Sequence, residues 1–301
     1  MPAPPPLLAA DVPWLLYRSY FALPKSIVGP GGRPVNALLG TVNAILGFLD
    51  ARLTAQVRCV VACTGAEEAD YRVKLYPGYH AHRAPMPPEL AWQWPRAPEL
   101  LASLGWVVSG SDSLEADDVM FSFARSEEER GGRALLMSGD RDMYGAVSEH
   151  VSVLELRKGG ETGELGPPQV RERYGVEPRL VPDFIALRGD PSDGLPGAPG
   201  IGAKTAAELL RRYGPLEDVL AAAHALTNKV RRGDDEMRPR AAAALRENDE
   251  LLRAFKRIAT LQRIDVQAPP STTTDFAGGA GAARGLGMRR LAERLEKMAQ
   301  A

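Results

Sequence analysis

Through the first 155 residues, short apolar runs alternate with longer stretches whose apolar positions recur at helical spacing. The runs at residues 7–10, 57–63, 106–108, 134–137 and 151–154 have the length and composition of buried strands, most of them breaking off into a polar residue or glycine. Between them, residues 36–53 place Leu39, Val42, Ile45, Leu46 and Leu49 on one face, and residues 115–130 do the same with Val119, Met120, Phe123 and Ala124. This alternation predicts an α/β fold, a mostly parallel sheet flanked by helices, with reactive groups gathered at the carboxyl ends of the strands. From about residue 165 the pattern turns helical, with helices expected at 167–174, 181–187, 203–213, 216–223, 238–257 and 288–300. A Gly/Pro-dense turn at 189–202 and a Pro/Thr/Gly-rich span at 268–287 interrupt them, the second expected to be a loop or an ordered connection. The division expected is an α/β domain over 1–165 and a helical region over 166–301. Prolines 77, 85, 87, 88, 95 and 98 predict a mobile, irregular insertion within residues 66–100.

A length of 301 residues with 45% hydrophobic positions supports one large or two small domains without disulfide or metal staples. Cys59 and Cys63 lack a second pair to complete a zinc site, so a reduced, buried thiol pair is expected. The start has no basic n-region, Asp11 cuts its apolar stretch, and no run approaches the ~20 residues of a membrane span. A cytoplasmic protein without membrane contact is the expectation. Thirty-seven Lys+Arg against 38 Asp+Glu give a net charge of −1, without the basic excess that advertises phosphate partners.

The acids are unevenly placed. Asp11 follows the first run directly, Glu115, Asp117 and Asp118 open a helix after the third, Asp140 and Asp142 follow the fourth, and Asp190 and Asp193 sit in the Gly/Pro turn. Each alone is explained by a helix cap or a dipole partner. Converging on one sheet edge, eight carboxylates would repel by about 3 kcal/mol for each pair about 5 Å apart at an effective dielectric of 20. Divalent cations relieve that. Oxygen-only ligation points to Mg²⁺ or Mn²⁺, and the number of acids suits two ions, an arrangement able to hydrolyse phosphodiesters.

The turn Gly200-Ile201-Gly202 leads into a helix start carrying Lys204 and Thr205. Bare backbone N–H groups, the positive helix end, a lysine and a hydroxyl fit a phosphodiester, although a tight helix–helix turn with C-cap glycines also explains the glycines. Arg72, Lys74, His80, His82, Arg83 and Arg96 lie in or beside the insertion, and Arg211 and Arg212 follow the turn. Setting eight metal-bound acids aside leaves 30 acids against 37 bases, an acidic cleft in a basic surround.

The stretches LLAADVPWLLYRSYFALP, GRPVNALLG, YRVKLYPGYHAHRAP, LEADDV, SGDRDMY and RGDPSDGLPGAPGIGAKTAAELL, over roughly residues 7–215, resemble the 5′–3′ exonuclease and flap endonuclease family. That family includes the N-terminal nuclease domain of bacterial DNA polymerase I, and the wording is similar to stand-alone actinobacterial members. The resemblance implies a PIN-like catalytic domain and metal-binding roles for Asp11, Glu115, Asp117, Asp118, Asp140, Asp142, Asp190 and Asp193. It implies a helix–hairpin–helix at 189–213 gripping duplex DNA through Gly200, Ile201, Gly202, Lys204 and Thr205, with K⁺ as a candidate ion. Residues 66–100 become an arch for a single-stranded 5′ end, with Arg72, His80 and Arg83 as catalytic groups at its base. DNA with a 5′ end or flap is the implied partner, in repair or replication, for a monomer at the nucleoid.

Three positions depart from the family pattern. Thr64 or Gly65 stands where the family has a strand-ending aspartate, His80 stands for a lysine, and Val12 for a glycine. Weakened activity is implied, with Glu67, Glu68 or a water standing in for the missing acid. The alternatives are a catalytically impaired DNA-structure-binding protein of the same fold and a PIN-type ribonuclease.

Overall fold

A computed structural model describes residues 4–51, 57–156, 162–226 and 237–300. The first half runs β1 (Leu7–Asp11), α1 (Val12–Ala22), α2 (Asn36–Ala51), β2 (Cys59–Cys63), α3 (Asp70–Leu75), α4 (Pro88–Gln93), α5 (Ala97–Ser103), β3 (Val107–Ser109), α6 (Ala116–Glu129), β4 (Ala134–Met137), β5 (Val151–Leu156) and β6 (Thr162–Leu165). The second half is helical: α7 (Pro167–Tyr174), α8 (Val181–Arg188), α9 (Ala203–Tyr213), α10 (Leu216–Ala225), α11 (Pro239–Glu247), α12 (Asp249–Ala259), α13 (Phe276–Gly285) and α14 (Arg289–Ala299).

The strands form one sheet in the order β3-β2-β1-β4-β5-β6, parallel except for the antiparallel edge strand β6, which the apolar pattern does not signal. Every residue of β1, β2 and β4 is buried, because helices cover both faces. Alternation along β1 sends Leu7 and Ala9 to a core shared with α6 to α12, and Leu8 and Ala10 to one shared with α1, α2, α4, α5, α13 and α14. The helical region therefore packs on the sheet rather than standing apart from it. The chain turns from β1 to β2 on one side, while β4 lies on the other, so a crevice opens beyond the carboxyl ends of β1 and β4.

Three expectations are corrected. The proline-rich insertion carries α4 and the start of α5, because Pro88 and Pro98 fall in first helical turns, where proline's missing N–H costs nothing. It is pinned down: Gln93 Oε1 accepts the N–H of Ala37 at 2.8 Å, and Tyr20 donates its hydroxyl to Glu89 at 2.8 Å. The span at 268–287, expected as a loop or an ordered connection, contains α13, whose small residues admit close packing, since a Cβ on Gly279 would stand 2.2 Å from Leu104. The expected helix at 238–257 is two, meeting at Asn248. Among the described residues no helix is long and apolar enough to cross a membrane.

Candidate metal centre and nucleic-acid interface

Asp11 ends β1 and caps α1, its Oδ1 accepting the N–H of Trp14 at 2.9 Å. Its Oδ2 accepts the hydroxyl of Ser138 at 2.7 Å, and Ser138 Oγ in turn accepts the N–H of Asp140. Ser138, absent from the sequence expectations, thus ties the ends of two adjacent strands together. Burial pushes the Asp11 carboxyl up to about 6.

Asp117, in the first turn of α6, meets Asp140 and Asp142 from the loop after β4, one carboxylate oxygen of each lying within 4.8 Å of the others. Burial, then mutual repulsion among the acids, pushes Asp117 and Asp142 well above the ordinary carboxylate range. Asp142 Oδ1 is buried without a hydrogen-bond partner among the described residues. A buried acceptor left bare is costly, and three hard oxygen donors at this spacing fit a divalent cation.

A cavity of about 850 Å³ covers the trio, with Asp11, Glu115 and Asp193 also on its wall. Glu115 is already engaged, accepting the N–H of Ala69 at 2.8 Å and the hydroxyl of Tyr79. Asp193 accepts from His80 Nε2 at 3.1 Å and from Arg83 at 3.2 Å. The His80 backbone is held in the left-handed region, at φ 55°, and its ring stacks on Tyr79. Burial leaves its Nδ1 unpartnered among the described residues. Arg83 is half exposed at the rim.

Three expected site residues stand elsewhere. Asp118 is fully buried, paired with Arg72 at 2.9 Å and accepting the N–H of Gln262 at 2.7 Å. Arg72, expected as a catalytic cation, is 2% exposed and also donates to the carbonyl of Ile258, so it joins α3, α6 and α12 inside the protein. Asp190 binds the N–H and hydroxyl of Ser192 and shapes the turn through a backbone bridge to Leu195.

Among the described residues no acid stands at the end of β2, where the resemblance implies an aspartate. Thr64 donates to the carbonyl of Ser109, and Gly65 lies so close to α6 that a Cβ there would stand 2.5 Å from the backbone of Glu115 and Ala116. Glu67 and Glu68 do line the cavity, Glu67 accepting from the Tyr17 hydroxyl at 3.3 Å. They are outside the trio of close oxygens. The same cavity is also walled by Trp14, Tyr17, Phe21, Met86 and Trp94, with Phe21 72% exposed. The spacing of residues 14, 17 and 21 on one helix face signals this wall in the sequence.

At the hairpin, Gly200 holds φ +77° with open space about its Cα, Ile201 is buried as an anchor, and Gly202 starts α9 without a side-chain cap. Lys204 is exposed and Thr205 half-buried on the first turn.

Residues 6–175 match the model of the 5′-3′ exonuclease N-terminal, resolvase-like domain, and residues 176–276 that of the 5′-3′ exonuclease C-terminal SAM fold. A 5′-3′ exonuclease of Mycobacterium tuberculosis is 34% identical over 291 residues, covering 90% of this chain and 87% of that protein. DNA polymerase I of the same organism is 36% identical over 249 residues, covering 82% of this chain but only 27% of the polymerase. Among known structures, bacteriophage T5 D15 flap endonuclease, in a complex with DNA and metal ions, superposes with a TM-score of 0.64 at 17% identity. The match covers 98% of this chain and 99% of that one, and shows a shared fold.

Proposed function

We propose, from the premise that this chain belongs to the 5′–3′ exonuclease family, that it hydrolyses DNA phosphodiester bonds next to a 5′ end or flap with Mg²⁺ or Mn²⁺. The observation that carries this reading is the trio Asp117, Asp140 and Asp142, with one bare buried oxygen, at the carboxyl ends of β1 and β4. Bound there, a pair of divalent ions would activate water and neutralise the leaving oxygen. The chain's own groups do the positioning. Ser138 and the Trp14 N–H fix Asp11, and His80 fixes Asp193, on the wall of the cavity that holds the trio. Arg83, at the rim, offers its guanidinium to the incoming phosphate. Tyr17, Phe21 and Trp94 present ring faces and edges on which unpaired bases stack. The 200–205 turn offers bare N–H groups and Lys204 to the duplex, with K⁺ as the ion suited to its carbonyls. Glu67 or Glu68, both on the cavity wall, or a water stands in for the acid that Thr64 and Gly65 lack. The molecule acts as a monomer at the nucleoid.

Thr64 and Gly65 favour a second reading, a DNA-structure-binding protein that cuts slowly or not at all. One assay separates the two: a 5′-flap substrate with Mn²⁺ or Mg²⁺, with EDTA, and with Asp142→Asn. Metal-dependent product, falling on the order of 100-fold in the variant, is expected. Retained binding with no product from the unsubstituted protein overturns the enzyme reading, and equal turnover of a matched RNA turns it towards a ribonuclease.

A further inference from the structure

Trp14 stands where two strand ends meet. β1 and β4 are adjacent and parallel, with Ala10 opposite Met137, so α1 leaves β1 beside the loop that carries Asp140 away from β4. Pro13 lies in the first turn of α1, and the N–H of Trp14, one of the donors that a helix start leaves over, goes to Asp11. The indole of the same residue reaches the neighbouring loop. A Cβ on Gly139 would stand 2.2 Å from Cζ2 of that ring, 2.5 Å from Cε2 and 2.8 Å from Nε1. Gly139 does not hold a positive φ, so its backbone suits any residue, and it is the ring that requires a glycine there.

Gly139 is the single residue between Ser138 and Asp140. The ladder joining β1 to β4 ends at Ala10 and Met137, so past that point the loop's position depends on Ser138 and on what packs against Gly139. Ser138 Oγ donates to Asp11 and accepts the N–H of Asp140 at 3.1 Å, and Asp140 Oδ1 accepts the N–H of Arg141 at 2.6 Å. The Asp140 carboxylate is therefore bound to its own loop backbone, and a shift of Gly139 carries it relative to Asp117 on α6. Arg18, one turn further along α1, places its guanidinium 5.7 Å from the centre of the Trp14 ring, an attraction that opposes the ring swinging away. Trp14 thus gives its N–H to one acid and its ring to the loop of another.

We infer that the Trp14 indole is a positioning group for the metal centre, packed on Gly139 so that Asp140 stays within reach of Asp117 and Asp142. The inference rests on the reading of that trio as a divalent-metal site. Its test is calorimetric titration of Mn²⁺ into the full chain, for the unsubstituted protein, Gly139→Ala, Trp14→Leu, Trp14→Phe and the double variant Gly139→Ala/Trp14→Leu. Gly139→Ala and Trp14→Leu should each weaken Mn²⁺ binding on the order of tenfold, and Trp14→Phe only about threefold, since a smaller ring still covers part of the loop. The double variant sets a methyl where the ring edge was, so its affinity should return to within about threefold of the unsubstituted protein, whereas independent effects would multiply to about 100-fold. Binding of a 5′-flap duplex in EDTA should stay the same throughout, and thermal unfolding in EDTA verifies that the variants fold. If Trp14→Leu does not fold, Gly139→Ala with and without Trp14→Phe decides by the same arithmetic. Losses that multiply overturn the inference. So does an intact Mn²⁺ affinity with weakened flap binding in Trp14→Leu, which would make the ring a surface for bases instead. A protein that binds Mn²⁺ yet leaves the flap uncut loses the nuclease reading, while the affinities still decide the role of Trp14. One that binds no Mn²⁺ loses the metal centre and this inference with it.

Discussion

Asp11 shows what single residues contribute when no cation is bound. Its carboxyl, moved from 3.8 to about 6 by burial, is raised on folding, so the stability it contributes is full below about pH 4 and disappears as pH rises through 6. That displacement corresponds to about 3 kcal/mol. Asp117 and Asp142 are raised in the same direction. The metal-free protein should therefore lose melting temperature between pH 4 and 7 by a margin that Asp11→Asn reduces, and Mg²⁺ or Mn²⁺ should restore it more at pH 7.5 than at pH 5. Thermal unfolding with EDTA and with metal measures this, and a metal-induced rise of equal size at both pH values would count against a cation among these acids. The missing aspartate gives a sharper residue-scale case. Gly65→Asp places its Cβ 2.5 Å from helix backbone, which must shift, so this variant should lose about 1–3 kcal/mol of stability and gain no activity. Flap cleavage and chemical denaturation of the same variant check both parts. The sequence exposes the departure, because Thr64 and Gly65 follow an apolar strand where an acid was expected. It does not expose the reason an acid no longer fits, which is the closeness of α6 to that strand end.

Elements decide which acids become site residues. Asp117 and Asp118 are neighbours in the sequence, yet one residue turns a helix by about 100°. Asp117 therefore faces the cavity while Asp118 turns inward to Arg72. Spacing alone made them equivalent, and only the packing of α3 and α12 on α6 separates them. Arg72 is legible as a basic position but not as a buried one, because its partners come from Glu115, Asp118 and Ile258, widely separated along the chain. Removing one partner of a buried pair leaves the others uncompensated. Arg72→Met should cost about 3–5 kcal/mol, lowering the melting temperature by about 10 °C, with cleavage per folded molecule much less affected. Adding Asp118→Leu should recover part of the loss. A variant that melts normally but cuts 100-fold more slowly would return Arg72 to the catalytic role expected from the sequence. The strands were readable because burial on both faces leaves unbroken apolar runs. The helices α4 and α13 were not, because proline and glycine density masks them until first-turn prolines and close packing are seen.

Across the whole molecule, charge and packing both depend on parts distant in sequence. The near-zero net charge conceals an acidic cavity and a basic one with no common wall residue, the second lined by Arg173, Arg188, Lys204 and Arg211; Lys204 and Arg211 were legible beside the glycine turn, while Arg173 and Arg188 come from two other helices and were not. The hairpin α13–α14 is similar in kind. The family match ends at residue 276, yet the segment beyond it completes a face of the first half of the chain. Leu291, Leu295, Ala280 and Ala283 are buried in the core that also holds Leu104, Trp106 and Leu8. Asp275 donates its N–H to the carbonyl of Leu104 at 2.8 Å, and Thr274 accepts the Trp106 indole N–H at 3.1 Å, fixing the hairpin's entry. Burial of Met288, Leu291 and Leu295 alone contributes roughly 6 kcal/mol as an upper estimate, a large part of a domain's usual 5–15 kcal/mol. Deleting residues 276–301 should therefore abolish cooperative unfolding or drive the protein to aggregate, although every acid of the metal centre is retained. Exposed substitutions on the same hairpin, such as Lys297→Ala, should leave melting within about 1 °C of the full chain, since surface changes rarely exceed 0.5 kcal/mol or so. Calorimetry on the truncated and substituted proteins decides the matter: a truncated chain that melts cooperatively close to the full-length temperature would show that the hairpin is an appendage and that the sheet's second core closes without it.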